Sequence, residues 1–113
     1  MQHKDTFILE DILDYCNKIE ATVERFGGSN YDKFLDDLDF QNSCSFEIFQ
    51  IGELANSLSE NFKKQHPEVE WRKIIGMRNI IAHDYADANL KIVWKVIKNR
   101  IPELKTFCKK IIN

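Results

Sequence analysis

The sequence has little that breaks or bends a chain: two Pro and four Gly in 113 residues. That scarcity leaves little material for disordered linkers or for many tight turns. No stretch of useful length alternates apolar and polar residues with period two, and nothing repeats internally. No apolar run is long enough to span a membrane, and the opening Met1-Gln2-His3-Lys4-Asp5 lacks an apolar signal region. The three cysteines, Cys16, Cys44 and Cys108, are odd in number and scattered. They make no metal-finger spacing and read as small buried hydrophobes of a reducing, cytoplasmic protein. His3, His66 and His83 are not spaced as ligands on one element, so no metal and no other cofactor is expected.

What is present suits one compact helical domain spanning residues 1–113. Hydrophobic residues make up 43% of the chain and include eight Phe. Over residues 6–26, Phe7, Ile8, Ile12, Cys16, Ile19, Val23 and Phe26 recur at three- and four-residue steps, with Glu10, Asp11, Asp14, Glu20 and Glu24 between them. Gly27-Gly28-Ser29-Asn30 should end that helix, being residues that tolerate positive φ. The Gly pair adjoins no strand and carries no Lys-Ser/Thr, so it is not a phosphate loop.

Tyr31 to Leu38 reads as a short helical turn carrying Phe34, Leu35 and Leu38 inward. Its acids Asp36, Asp37 and Asp39 lack calcium-loop spacing and read as caps or solvated groups. A second long helix is expected from about Phe40 to Leu58, with Gly52 marking close approach of another helix. Ser59 should cap a turn reaching Lys64, and His66-Pro67 should act as a connector. A third helix runs from Trp71 to Ala82 or His83, with Trp71, Ile74, Ile75, Arg78, Ile81 and Ala82 as its inner stripe. The last, capped by Asp87, carries Leu90, Val93, Trp94 and Ile97. Pro102 should kink or break it near Asn99–Ile101, starting a final segment with Leu104, Phe107, Cys108, Ile111 and Ile112. The expected fold is an all-α bundle of four main helices plus short helical turns.

Charge is unevenly spread. Residues 1–62 hold four Lys/Arg against thirteen Asp/Glu, a balance of −9, and residues 63–113 hold twelve against five, +7, within a net charge of −2. The basic half suits a polyanion, although two oppositely charged helical layers would also attract one another. In that half stands Met77-Arg78-Asn79-Ile80-Ile81-Ala82-His83-Asp84-Tyr85. Arg78 offers a planar fork of donors suited to phosphate, and His83 titrates near neutral pH. On a helix, Asn79 and His83 share a face, and Arg78 and Tyr85 nearly eclipse. Arg78 and His83 diverge by about 140°, so a single straight helix cannot aim both at one atom. Either the helix unwinds at His83 or a second copy of the chain completes the site. Arg78 also needs an anionic partner, a carboxylate such as Glu53 or a substrate phosphate.

Arg78, His83 and Tyr85 in the order Arg-x4-His-x-Tyr resemble the motif of the HepT toxins, a branch of the HEPN ribonuclease superfamily. Ile51-Gly52-Glu53, His66-Pro67-Glu68 with Trp71, Ile75-Gly76-Met77-Arg78-Asn79, and Trp94 with Ile101-Pro102-Glu103-Leu104 carry the likeness across the chain. The resemblance implies a HEPN-type bundle and a metal-independent endoribonuclease, the toxin of a HepT/MNT type VII toxin–antitoxin pair. It implies Arg78 and His83 as catalytic, Glu53 near the motif helix, and a 2′,3′-cyclic phosphate product. It also implies a nucleotidyltransferase antitoxin that neutralises the toxin by AMPylation of Tyr85. Asn79 is the residue placed to orient His83 or a phosphate oxygen. A homodimer is expected, with larger assemblies open. The alternative is a non-catalytic helical partner of a nucleotidyltransferase.

Overall fold

A computed structural model of the chain describes residues 2–83 and 87–112, and side chains throughout these except at 82, 83, 87 and 88. The order is α1 (His3–Arg25), α2 (Tyr31–Asp36), α3 (Leu38–Ser57), α4 (Glu60–Gln65), α5 (Trp71–His83), α6 (Asp87–Lys95), a π-helical turn (Val96–Arg100) and α7 (Ile101–Ile112). Every element among the described residues is helical. α3 lies between α1 and α5, and α1 also packs on α7. None of these helices is long and apolar enough to cross a membrane.

The helix ends follow from local chemistry. Gly27 and Gly28 sit at φ +116° and +84°, and the Gly28 N–H donates back to Val23 O at 2.8 Å, closing α1. Asn30 caps α2 by accepting from the N–H groups of Asp32 and Lys33. Asp37 does the same for α3, and Ser59 Oγ accepts from Phe62 N to start α4.

Ser59 also holds a long-range latch. Its N–H and hydroxyl donate to the two carboxylate oxygens of Asp5 at 2.8 and 2.7 Å, and Asp5 is only 1% exposed. Farther along, Thr22 Oγ1 donates to Glu47 at 3.0 Å. With Asp5 at one end of α1 and Thr22 at the other, these bonds fix α1 antiparallel to α3. Burial pushes the Glu47 carboxyl above its ordinary range, against the Thr22 bond and the nearby Arg25 and Lys18 charges.

The core runs as one cluster through Leu9, Ile12, Cys16, Ile19, Phe40, Cys44, Ile48, Ile51, Met77, Ile101 and Cys108. Burial drives the thiols of Cys16, Cys44 and Cys108 up to about 12, which makes them inert at neutral pH, as expected of packing cysteines. Phe40 stacks on Phe26 and meets Phe34 edge-on, both at 5.1 Å between ring centroids. Such pairs contribute about 0.5–1.5 kcal/mol beyond their burial.

Three expectations shift. Leu35 and Leu38, expected inward, are exposed, because Asp37 takes extended backbone and restarts the helix in a new phase. Phe7 is likewise 64% exposed, while Leu9 and Thr22 occupy the buried face of α1. At Pro102 the chain does not break. The turn before it widens, so that Ile101 N–H bonds to Val96 O five residues back, and Pro102 then sits comfortably in the first turn of α7.

Candidate functional site

α5 is anchored at its start by aromatic packing. Trp71 Nε1 donates to His66 O at 3.0 Å, and the Trp71, Phe62 and Phe107 rings pack together. His66 is more than a connector: its ring lies 4.6 Å from that of Phe62 and 5.4 Å from that of Phe107. From there the buried stripe of α5 is Trp71, Ile74 and Met77, with Ile75 and Ile81 partly buried against the same core. Met77 thus takes the inward place that the sequence pattern assigned to Ile75.

Arg78 follows Met77 on the side that meets α3. A Cβ built on Gly52 would lie 3.2 Å from Arg78 Cβ and 3.3 Å from its backbone nitrogen. Such contacts are tighter than side chains ordinarily make, so the absence of a side chain at Gly52 eases the approach of the two backbones, as expected at this position. Because Gly52 sets that distance, the next residue of α3 reaches the guanidinium: Arg78 Nη1 donates to Glu53 Oε1 at 2.9 Å. The pair is half open to solvent, the side chains being 30% and 46% exposed. One N–H of the five on the guanidinium is directed at Glu53 in this bond.

Gly52→Val should therefore lower stability by about 2 kcal/mol, since the added isopropyl group overpacks the place where the backbones meet. Thermal melting checks this. A variant as stable as wild type would show that α3 and α5 part freely.

Asn79 is exposed on the outer face of α5, and His83 is the last residue of the helix. α5 stays helical through His83, so the offset between Arg78 and His83 remains about 140° around the axis. The structure thus brings Arg78 and Glu53 together, and it turns the His83 position away from them toward the Asn79 face. The His83 side chain and Tyr85, the expected modification site, lie outside the described residues. Among the described residues no group of three His, Cys, Asp or Glu side chains forms a metal site. Sequence reasoning missed the Asp5–Ser59 latch, whose partners stand 54 residues apart and share no local pattern.

A central antiparallel helix pair, a glycine packed between its members and an arginine held by the adjacent glutamate define an all-α protein whose polar pair sits where its two central helices meet. Comparison with known proteins narrows the class. The family model "Ribonuclease HepT-like" matches residues 12–111, so the chain belongs to the HepT-like ribonuclease family. It is 34% identical over 104 residues to a Caldanaerobacter subterraneus protein named "Putative RNase", covering 92% of this chain and 90% of that one. It is 33% identical to the "Probable ribonuclease HepT" of Thermococcus cleftensis, covering 91% and 89%. It is 28% identical to the "mRNA nuclease HepT" of Shewanella oneidensis, covering 94% and 74%. No solved structure matches the chain.

Proposed function

We propose that this protein is a metal-independent endoribonuclease and the toxin of a HepT/MNT type VII toxin–antitoxin pair. The observation that carries this reading is the Arg78–Glu53 pair on a helix that ends at His83, in the basic half of a HepT-like chain. The RNA supplies its own nucleophile: the 2′-hydroxyl attacks the adjacent phosphorus and the 5′-oxygen of the next nucleotide leaves. His83 serves the proton transfers, and Arg78 stabilises the added charge on the phosphorane. Asn79, on the His83 face, orients the imidazole or a phosphate oxygen. Glu53 fixes the guanidinium so that its free donors stay aimed outward.

A helix that holds through His83 favours one of the two ways of bringing Arg78 and His83 to a single phosphate. That way is a homodimer in which Arg78 of one protomer faces His83 of the other across a two-fold axis. The partner is a nucleotidyltransferase antitoxin that transfers AMP to Tyr85.

A second reading has its own support, since a structural arginine would also be found on a carboxylate, as Arg78 is on Glu53. In that reading the chain is a non-catalytic helical partner of the nucleotidyltransferase. Purified protein incubated with single-stranded RNA in excess EDTA separates the two. The nuclease leaves 2′,3′-cyclic phosphate and 5′-hydroxyl ends, seen by mass spectrometry of the fragments. Intact RNA, or cutting only when a divalent metal is restored, would refute the metal-independent assignment.

A further inference from the structure

On the side of α5 away from Glu53, the fold leaves a groove. Trp94 fastens α6 to the other side of the bundle, its ring centroid 5.1 Å from Phe34, 5.9 Å from Tyr31 and 6.1 Å from Phe40. Between α5 and the α6–π segment lies an open groove of about 410 Å³. Its apolar lining is Met77, Ile80, Ile92 and Val96, and its polar lining is Lys95, Asn99, Arg100, Glu70 and Glu103. Ile92 is 42% exposed, a large aliphatic side chain left uncovered at this edge.

The groove has a direction. Along one wall its lining runs from Glu70, just before α5, to Ile80 near the His83 end of that helix, and along the other from Ile92 on α6 to Glu103. Glu70, Arg100 and Glu103 lie at the far end. Around the α5 axis, the Ile80 position is about 60° from that of His83 and about 160° from that of Arg78. Lys95 lines the groove, and Lys91, exposed one turn earlier on α6, lies outside its lining but on the same side of the helix as Lys95. The ion pairs among the described residues engage Lys63, Lys73, Arg78 and Lys105, and leave Lys91 and Lys95 unpaired.

Unpaired cations along an apolar floor match a polyanion whose bases are not stacked in a duplex. Phosphates take the lysines, and base or ribose faces cover the isoleucines. A double helix would present phosphates but no free base faces to Ile80 and Ile92. Resting on the nuclease reading above, we propose that this groove holds the single-stranded RNA flanking the scissile phosphate, with Lys91 and Lys95 holding its phosphates.

The test reads binding apart from cleavage. A fluorescent oligonucleotide with 2′-O-methyl riboses has no free hydroxyl to attack its phosphates, so it binds without being cut. Its affinity is measured by anisotropy over a range of KCl concentrations for wild type, Lys91→Glu, Lys95→Glu and the control Lys109→Glu. Lys109 is an exposed cation in the last turn of α7. Each groove variant should bind about tenfold more weakly, and its salt dependence should flatten by about 0.7 for every phosphate the protein no longer neutralises. The control, at equal net charge, should change less than about twofold.

An equal loss in all three variants would mean diffuse attraction and overturn the groove. So would unchanged binding in Lys91→Glu and Lys95→Glu. A changed light-scattering mass in Lys95→Glu with RNA affinity intact would make the groove a protein interface instead, and also overturn the proposal. The two readings fail separately. Cleavage that survives with groove-independent binding sinks only the groove, and groove-dependent binding of an RNA that is never cut sinks only the nuclease.

Discussion

Equal mixing of Arg78→Ala and His83→Ala proteins, each inactive alone, should restore about a quarter of wild-type RNA cleavage if a two-fold dimer shares its sites between protomers. Random exchange makes half the dimers heterodimers. In each of these, one site joins the intact Arg78 of the His83→Ala chain to the intact His83 of the Arg78→Ala chain, and the other site is doubly dead. A site built within one chain could never be rescued this way. The expectation rests on α5 remaining helical through His83, which keeps the two positions about 140° apart. Mixtures no more active than their components would return both residues to a single protomer.

Each single variant should fall by about a thousandfold, the order expected for losing a proton-transfer group or a preorganised charge partner. Misfolding is a poor account of such a loss. The Arg78–Glu53 pair is half exposed, and ion pairs of that kind contribute about 0–1 kcal/mol to stability. The thermal midpoint of Arg78→Ala should accordingly stay close to that of wild type. Glu53→Gln keeps an acceptor for the guanidinium, so it should lose far less activity than Arg78→Ala.

Much of this architecture could be read from the sequence because it rests on local rules. Apolar steps of three and four residues mark the long helices, and Asn30, Asp37, Ser59 and the Gly27-Gly28 pair mark where they begin or end. Gly52 was legible as a point of close approach because a glycine in a helix interior costs about 1 kcal/mol unless something needs the space. Arg78 demanded a carboxylate or a phosphate, and Glu53 meets that demand. The misses share a different origin. Leu38 changed phase because one capping aspartate restarted a helix, and Asp5 became buried through a serine far away in sequence. Ile75 and Met77 are equally apolar, so only the rotation of α5 against α3 could decide which of them the core would take. The π turn before Pro102 was half legible: the proline requires an irregularity, but widening and breaking satisfy it equally well.

Tyr85→Phe should fold and still cut RNA at least in part, yet escape neutralisation by the nucleotidyltransferase proposed as its partner. The reaction proposed for Tyr85 is attack of its phenol oxygen on the α-phosphorus of ATP. A new O–P bond forms, pyrophosphate leaves and the phenol loses its proton. Phenylalanine keeps the ring and removes the only atom able to form that bond. The adduct would silence the toxin through charge and bulk together. Tyr85 stands two residues from His83 in the chain, so a phosphodiester on its oxygen sets an anion near the guanidinium meant for substrate phosphate, and the attached nucleoside fills the cleft. Glu53 already takes one donor of Arg78, so the donors that remain are those for which an AMP phosphate and an RNA phosphate would compete. Wild-type and Tyr85→Phe proteins, incubated with the partner enzyme and ATP, are then compared by intact-mass analysis and by residual RNA cleavage. Wild type should gain AMP and fall silent, while the variant should gain no mass and stay active. An adduct on the variant as complete as on wild type would move the acceptor to another residue. An inactive variant that gains no mass would instead assign the phenol hydroxyl to the cleavage reaction itself.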